Sequence, residues 1–423
     1  MHAIEKILAK HSGEKAVVPG EIITVKVDFA EINDLYPQTL FSFWDMGGKK
    51  VWDKDKVAFV FDHYAPCPSV KTANTHKLMR SFAQENELSH HFDVMCGVCH
   101  QVLPEAGLVY PGMTLLATDS HTTTHGAFGA FGAGCGATDM ACILLEGAIW
   151  LRVPRIMEIR LEGTPAKDVY PKDVILAVTG AIGADGAVYE AIDFTGSYVE
   201  SLGVADRMTI CNMAVEMGAK TAYMQPNAEV LAYVEQRVKR PFEVEYTDAD
   251  FAYERSFALD VSKLEPQIAC PGNVDNVSNV SQIEEKGILI DQGYIGSCTN
   301  GCADDLAIAA AILRGKKIPA YKRLVVVPAS DEVMRDSIAN GAIQTLLDAG
   351  ATICAPGCAA CLGTHEGILG DGEVCITSTN RNFRGRMGSP LSQLYLASPA
   401  TVAASILNGK ITDPRNYLQE GEE

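Results

Sequence analysis

Four runs of sequence decide the fold: GILIDQGYIGSCTNG (Gly287–Gly301), RLVVVPA (Arg323–Ala329), ATICAPGCAACLG (Ala351–Gly363) and VCITSTNRNFRGRMG (Val374–Gly388). Each carries a short apolar strand signal, and all but Arg323–Ala329 break into a polar, glycine-bearing loop. Gly287–Ile295 reads as a buried strand, followed by a helix beginning near Ala303 and ending by Gly315. Arg323–Ala329 is the next strand, and Asp331–Gly350 the next helix, with Gly341 a weak point in it. Strands alternating with helices at this spacing predict a mostly parallel, doubly wound sheet. In such a sheet the post-strand loops gather along one edge, where ligands bind. Cys298, the Cys358–Cys361 pair and Asn380-Arg381 all fall in such loops, so they are expected to be neighbours.

Outward from this region the signals are weaker. VAFVF (Val57–Phe61) and TLLAT (Thr114–Thr118) are strand-like runs ending in Asp62-His63 and Asp119-Ser120-His121. GAFGAFGAGCG (Gly126–Gly136) has neither a dinucleotide fingerprint nor a glycine-lysine-serine ending, which favours a packing or active-site turn over a phosphate loop. A helical run follows from Ala137 to Leu151. Val169–Ala269 mixes helices and strands, and CPGNVDNVSNVSQ (Cys270–Gln282) has the composition of a linker. The division expected is three α/β units: 1–168 with the Asp-His pairs, 169–284 with the linker, and 285–423 with the cysteines. His90 and His91 read as solvent-facing.

At 423 residues the chain is long enough for two or three domains and a cleft between them. Its composition, 47% hydrophobic and 21% charged, excludes a disordered or fibrous chain. Thirty-five Lys and Arg against 53 Asp and Glu leave a net charge of −18, which disfavours nucleic acid and anionic membrane surfaces as partners. An anionic ligand would therefore need arginines gathered locally. No run reaches the ~20 apolar residues of a membrane span; the best, Met140–Leu151, contains Glu146. The opening residues place Ile4, Ile7 and Leu8 on one helical face and stop at Gly13, an amphipathic helix rather than a secretory signal. Thirteen cysteines without such a signal point to a reducing, cytoplasmic compartment.

Cys358 and Cys361, two residues apart between glycines, can hold one soft metal centre, with Cys298 a third ligand from another strand end. A four-ligand zinc site would need Cys302, Cys354 or His365 as well. Spacing leaves an iron–sulfur centre and zinc equally open, with unliganded thiols behind both. The remaining cysteines (67, 96, 99, 135, 142, 211, 270 and 375) read as packing residues, with a second metal or redox site at Cys96 and Cys99 the minor alternative.

Five runs together, ATDSHTTTHGAFGAFGAG, CNMAVEMGA, GSCTNG, PGCAACLG and NRNFRGRMG, resemble the aconitase superfamily, in its order and over essentially the whole chain. Within it they are most similar to the large-subunit family of 3-isopropylmalate dehydratase and homoaconitase. The resemblance implies an aconitase-like α/β fold of three domains around a cleft, lacking the swivel domain. It implies a single 4Fe-4S cluster held by Cys298, Cys358 and Cys361, with one iron left open for substrate. It also implies a hydro-lyase acting on a small hydroxy dicarboxylate, and a separate small subunit that carries the swivel domain, a serine base and further arginines. Catalytic residues carried over are Asp62 with His63, Asp119 with His121, and His100 with Glu216. His63 is expected to donate the proton, oriented by Asp62.

Arg381 and Arg386, beside Asn380, are expected to grip a substrate carboxylate, with Ser120 and Gln38 as further contacts. Each residue has a plainer reading as a cap, core hydrogen bond or surface salt bridge. Cys302, Cys96 and the segment AEINDLYPQT depart from the family pattern, and this opens the choice of substrate: 3-isopropylmalate first, then 2,3-dimethylmalate, homoaconitate, citraconate or maleate. A zinc- or cluster-stabilised binding protein, RNA-binding when the cluster is lost, is the alternative of another class; the −18 charge weighs against RNA.

Overall fold

The computed structural model describes residues 1–418. Its first sheet has five strands, in the order His90–Phe92, Val57–Val60, Phe29–Asn33, Thr114–Ala117 and Phe131–Gly134, all parallel. The central strands are buried along their whole length, as in a sheet covered on both faces, with Glu31 and Asn33 polar exceptions in an otherwise apolar pattern. A second parallel sheet orders Thr221–Tyr223, Ala191–Thr195, Ile156–Glu162 and Arg255–Asp260. The two share one core, in which Phe29, Val60 and Leu115 pack with Met157, Ile159 and Phe194. The opening helix Ala3–Ser12 buries Ile4, Ile7 and Leu8 and ends on left-handed Gly13, as its sequence predicts.

The third sheet has seven strands, in the order Val277–Asn279, Gln267–Ala269, Gln393–Ala397, Val374–Thr377, Gln292–Gly296, Arg323–Val327 and Thr352–Ile353. The last five run parallel, with the expected helix Ala303–Leu313 between the two central strands. Among the described residues no helix is long and apolar enough to cross a membrane.

Local expectations fail where glycine or pairing overrides apolar pattern. The run Ala137–Leu151 is a helix only to Glu146; left-handed Gly147 ends it, and Ala148–Arg152 becomes a strand pairing antiparallel with Ile22–Lys26. Gly341, at φ 82°, splits Asp331–Gly350 into the helices Asp331–Ala339 and Ala342–Ala349. Cys270–Gln282 is not a free linker. It turns through left-handed Gly272 so that Val277–Asn279 pairs with Gln267–Ala269 at the edge of the third sheet. The second sheet likewise takes Ile156–Glu162 from before residue 169. His90 and His91 are half-buried rather than solvent-facing, packed against Phe29 and Phe61. The glycine-rich stretch is a packing turn: a side chain at Gly126 would strike the carbonyl of Ala222, and one at Gly132 that of Thr122.

Candidate functional site

The C-terminal edges of the first and third sheets face each other, and every chemically distinctive loop leaves one of them. Asp62-His63 follows Val57–Val60, and Asp119–His121 follows Thr114–Ala117. Cys298 follows Gln292–Gly296, the Cys358–Cys361 loop follows Thr352–Ile353, and Asn380-Arg381 follows Val374–Thr377. Hydrogen bonds to backbone carbonyls lock the facing loops: Cys358 N–H donates to the Asp62 carbonyl at 2.8 Å, and Thr364 Oγ1 to that of His63 at 3.1 Å. Ser297 and Ala359, beside Cys298 and Cys358, hold positive φ angles of 73° and 52°. Such strain persists only where the surroundings impose it, which here fixes the direction of both thiols.

One cavity, about 290 Å³ of space free of protein atoms, is lined by Cys298, Cys358 and Cys361 together with His63, His100, His121, Asp62, Asp119, Asn380 and Arg386. Asn380 bridges two of the sulfurs: its Nδ2 lies 3.4 Å from Cys298 Sγ, and its Oδ1 3.5 Å from Cys361 Sγ. Asn212 Nδ2 donates to Cys298 Sγ at 3.2 Å, and Arg386 Nη2 to Cys361 Sγ at 3.7 Å. The bond between the paired thiols holds Cys361 well below the ordinary thiol range, with Arg386 adding to the effect. Cys358 stands correspondingly above that range, and burial pushes Cys298 up to about 12.

These three sulfurs suit a multi-atom core better than one zinc. Two thiolates on a zinc, each at ~2.3 Å, lie about 3.8 Å apart. Here the only such trio within 4.8 Å among the described residues is Asp34, Asp62 and His63, not the cysteines. The carboxylate of Asp34 is already committed, to the backbone N–H groups of His63 and Tyr64 and to His76 Nε2. The fourth ligands that zinc would need are turned elsewhere. Cys302 Sγ donates to Asp305 at 2.9 Å, Cys354 packs with Tyr294, and His365 Nε2 meets the His63 carbonyl at 3.1 Å.

Opposite the sulfurs lies a histidine–carboxylate network. His63 Nδ1 donates to Asp62 Oδ1 at 2.7 Å, and its Nε2 faces Asp119 Oδ2 at 3.4 Å. Burial opposes a charge on His63, but Asp62 and Asp119 outweigh it and hold the imidazole well above its usual range. Asp119 is the hub. Burial works against its charge too, but bonds from His100, His121 and His63 hold it well below the usual carboxylate range. The expected pairing of His100 with Glu216 is not what forms. His100 Nε2 meets Asp119 Oδ1 at 2.9 Å, while Glu216 Oε1 takes His121 Nε2 at 2.8 Å. His100 stands on the short helix Cys99–Glu105, next to the Asp119 loop, and Glu216 lies beyond His121.

The two arginines do not close on one anion. Arg381 spends Nε on Glu216 at 2.7 Å and Nη2 on Ser120 Oγ at 3.0 Å. Arg386 instead lies buried over the cysteines, with its Nε unpartnered. Gln38 stands exposed at the start of the helix Gln38–Asp45 and does not line the cavity.

Three contributors went unread in the sequence. Cys99, taken as packing, lines the cavity, and its backbone N–H holds Asp62 Oδ2 at 3.0 Å. Asn212 lies in the CNMAVEMGA run, whose resemblance was its only signal. Glu31 is buried with both carboxyl oxygens unpartnered, and burial, with Asp62 and Asp119 beyond it, pushes it well above the carboxylate range. Only the departure of AEINDLYPQT from the family pattern hinted at Glu31.

A model of the aconitase family (aconitate hydratase) matches residues 5–409. The chain belongs to the aconitase family. It is a hydro-lyase, and the binding-protein alternative falls. The 3-isopropylmalate dehydratase large subunit 1 of Methanopyrus kandleri is 49% identical over 98% of this chain and 99% of its own length. The probable methanogen homoaconitase large subunit of Methanothermobacter thermautotrophicus is 47% identical over 100% and 99%. Thermococcus kodakaraensis aconitase X shares the aconitase-like fold, with a TM-score of 0.52 over 92% of this chain and 93% of its own, at 12% identity.

Proposed function

We propose that this chain is the cluster-bearing large subunit of a hydro-lyase that reversibly dehydrates a malate-type hydroxy dicarboxylate, 3-isopropylmalate first, in leucine biosynthesis. The observation that carries the reading is the single cavity in which Cys298, Cys358 and Cys361 face a histidine–carboxylate network. Cys298, Cys358 and Cys361 would hold a 4Fe-4S cluster. The chemistry such a cluster supplies when bound is Lewis-acid polarisation of the substrate hydroxyl at an iron lacking a protein ligand.

The residues of the chain do the rest. Hydroxide is a poor leaving group, and His63 delivers the proton from Nε2 while Asp62 keeps Nδ1–H and fixes the ring. Asp119 holds His63, His100 and His121 around one carboxylate, so these rings turn toward the cavity together. Arg386, with a buried unpartnered Nε, is the group that grips a substrate carboxylate. Arg381 positions Glu216 and Ser120 instead. The histidines and carboxylates lining the cavity are engaged with one another, and we assign the proton taken from carbon to a small subunit carrying the swivel domain.

Homoaconitate is the second reading, favoured by the homoaconitase relative. The test is co-expression with the small subunit from the same source and anaerobic purification. Iron and acid-labile sulfide are then measured, and ultraviolet absorbance follows unsaturated diacids from 3-isopropylmalate, homocitrate and 2,3-dimethylmalate. Iron, sulfide and fastest turnover of 3-isopropylmalate are expected. A preparation loaded with zinc instead, or inert on every diacid, would overturn the reading.

A further inference from the structure

Lys172 stands at the second position of the helix Pro171–Ile182 and is completely buried. Its Nζ donates to the main-chain carbonyls of Ser378 at 2.9 Å and Thr379 at 2.6 Å, with Met213 Sδ at 3.9 Å. Among the described residues no carboxylate forms an ion pair with it. A buried ammonium without a counter-charge is expensive, so its presence needs an explanation.

The carboxylates nearest in effect are spoken for. Glu216 is taken by His121 and Arg381, and Asp305 by Cys302 and Asn300. Asp173, next in the chain, turns the other way and accepts the backbone N–H groups of Tyr170 and Gln267. The remaining groups facing Lys172 that carry negative charge once ionised are the thiols of Cys361 and Cys298. The residues it touches also lead straight to the site. Ser378 and Thr379 immediately precede Asn380, which contacts both sulfurs, and Arg381, which holds Glu216. Met213 follows Asn212, which donates to Cys298 Sγ.

We propose that Lys172 is a positioning residue of the cysteine site. Its ammonium fixes the Ser378–Arg381 loop against the sulfurs and supplies the buried positive charge that favours an anionic cluster over neutral thiols. The inference rests on the cluster reading above. It adds a second buried cation to Arg386, one that holds the backbone just before Asn380 and does not itself line the cavity. Asn380 then works as a spacer, carrying the anchorage of Lys172 to the sulfurs through two backbone carbonyls.

The test compares Lys172→Met and Lys172→Gln with the unaltered chain, each co-expressed with the small subunit and loaded anaerobically. Methionine removes charge and donors; glutamine keeps two N–H donors for the same carbonyls and removes the charge alone. Three quantities are read: iron and sulfide per chain, the rate of iron loss to a chelator, and the midpoint potential of the bound cluster. Both variants are expected to lose iron at least tenfold faster and to show a more negative potential, because a lost positive charge favours the oxidised form. Methionine should also lower kcat, because displacing Arg381 loosens Glu216 behind His121. Variants that fold with unaltered iron retention and potential overturn the proposal. So does failure of both to fold, since the role would then be scaffolding alone. An unaltered chain that binds no iron or sulfide sinks the cluster reading itself, a result distinct from either.

Discussion

His63 and Asp62 show how one residue's chemistry depends on its neighbours. A lone imidazole would be mostly neutral at pH 7, but the carboxylates of Asp62 and Asp119 overcome burial and shift His63 toward its protonated form. A folded-state pKa above the unfolded value means that the stabilisation is complete below the unfolded value, near 6.5. It is lost as pH rises through the folded value. Turnover that needs the imidazolium should follow the same limb. Asp62→Asn is therefore expected to move the alkaline fall of kcat to lower pH, measured as a pH–rate profile against the unaltered enzyme. His63→Ala should cost roughly 10²- to 10⁴-fold in kcat with iron content unchanged. Equal activity in either variant would remove His63 from the chemistry. At the sulfurs, Cys298→Ser, Cys358→Ser and Cys361→Ser should each abolish stable cluster loading, read as iron and sulfide per chain. Cys302→Ser should leave loading intact, since its thiol is turned to Asp305.

Elements matter here through what they bring into contact. The short helix Ser120–Phe128 carries His121 and packs so closely that three glycines around it meet backbone rather than space. Gly126→Ala would drive a methyl group into the Ala222 carbonyl, and no side chain is there to give way. The expected result is a clear drop in Tm with reduced kcat, since His121 and Asp119 ride on the same turn; an unchanged melt would show that the turn can relax. Gly341, by contrast, has open space around it at φ 82°, so Gly341→Ala should cost only the left-handed penalty, about 1–2 kcal/mol. This contrast was partly legible. Glycine-rich composition marked a packing turn near Gly126, but which carbonyls it meets depends on the strand Thr221–Tyr223, nearly a hundred residues on. The helix run through Leu151 misread for a related reason: apolar residues continue across Gly147 while the period changes from helix to strand.

At the scale of the molecule, the cavity is a seam between two sheets. The chain purified alone, even fully loaded, is expected to turn over slowly, and titration with the small subunit should restore rate in proportion to complex formed. Rapid turnover by the isolated chain would sink that expectation. The chain's own sequence settled the parallel architecture, because strand–helix alternation and the crossover rule leave few alternatives. It also marked the post-strand loops that carry Cys298, Cys358, Cys361, Asp62, His63 and Arg381. Only the tertiary structure decided who pairs with whom: His100 with Asp119 rather than Glu216, Arg381 on Glu216 rather than beside Arg386, and Gln38 outside the cavity. Loop position along a sheet edge is a local property, set by alternation of elements. Partners across the seam are set by the packing of sheets hundreds of residues apart, which no local pattern encodes.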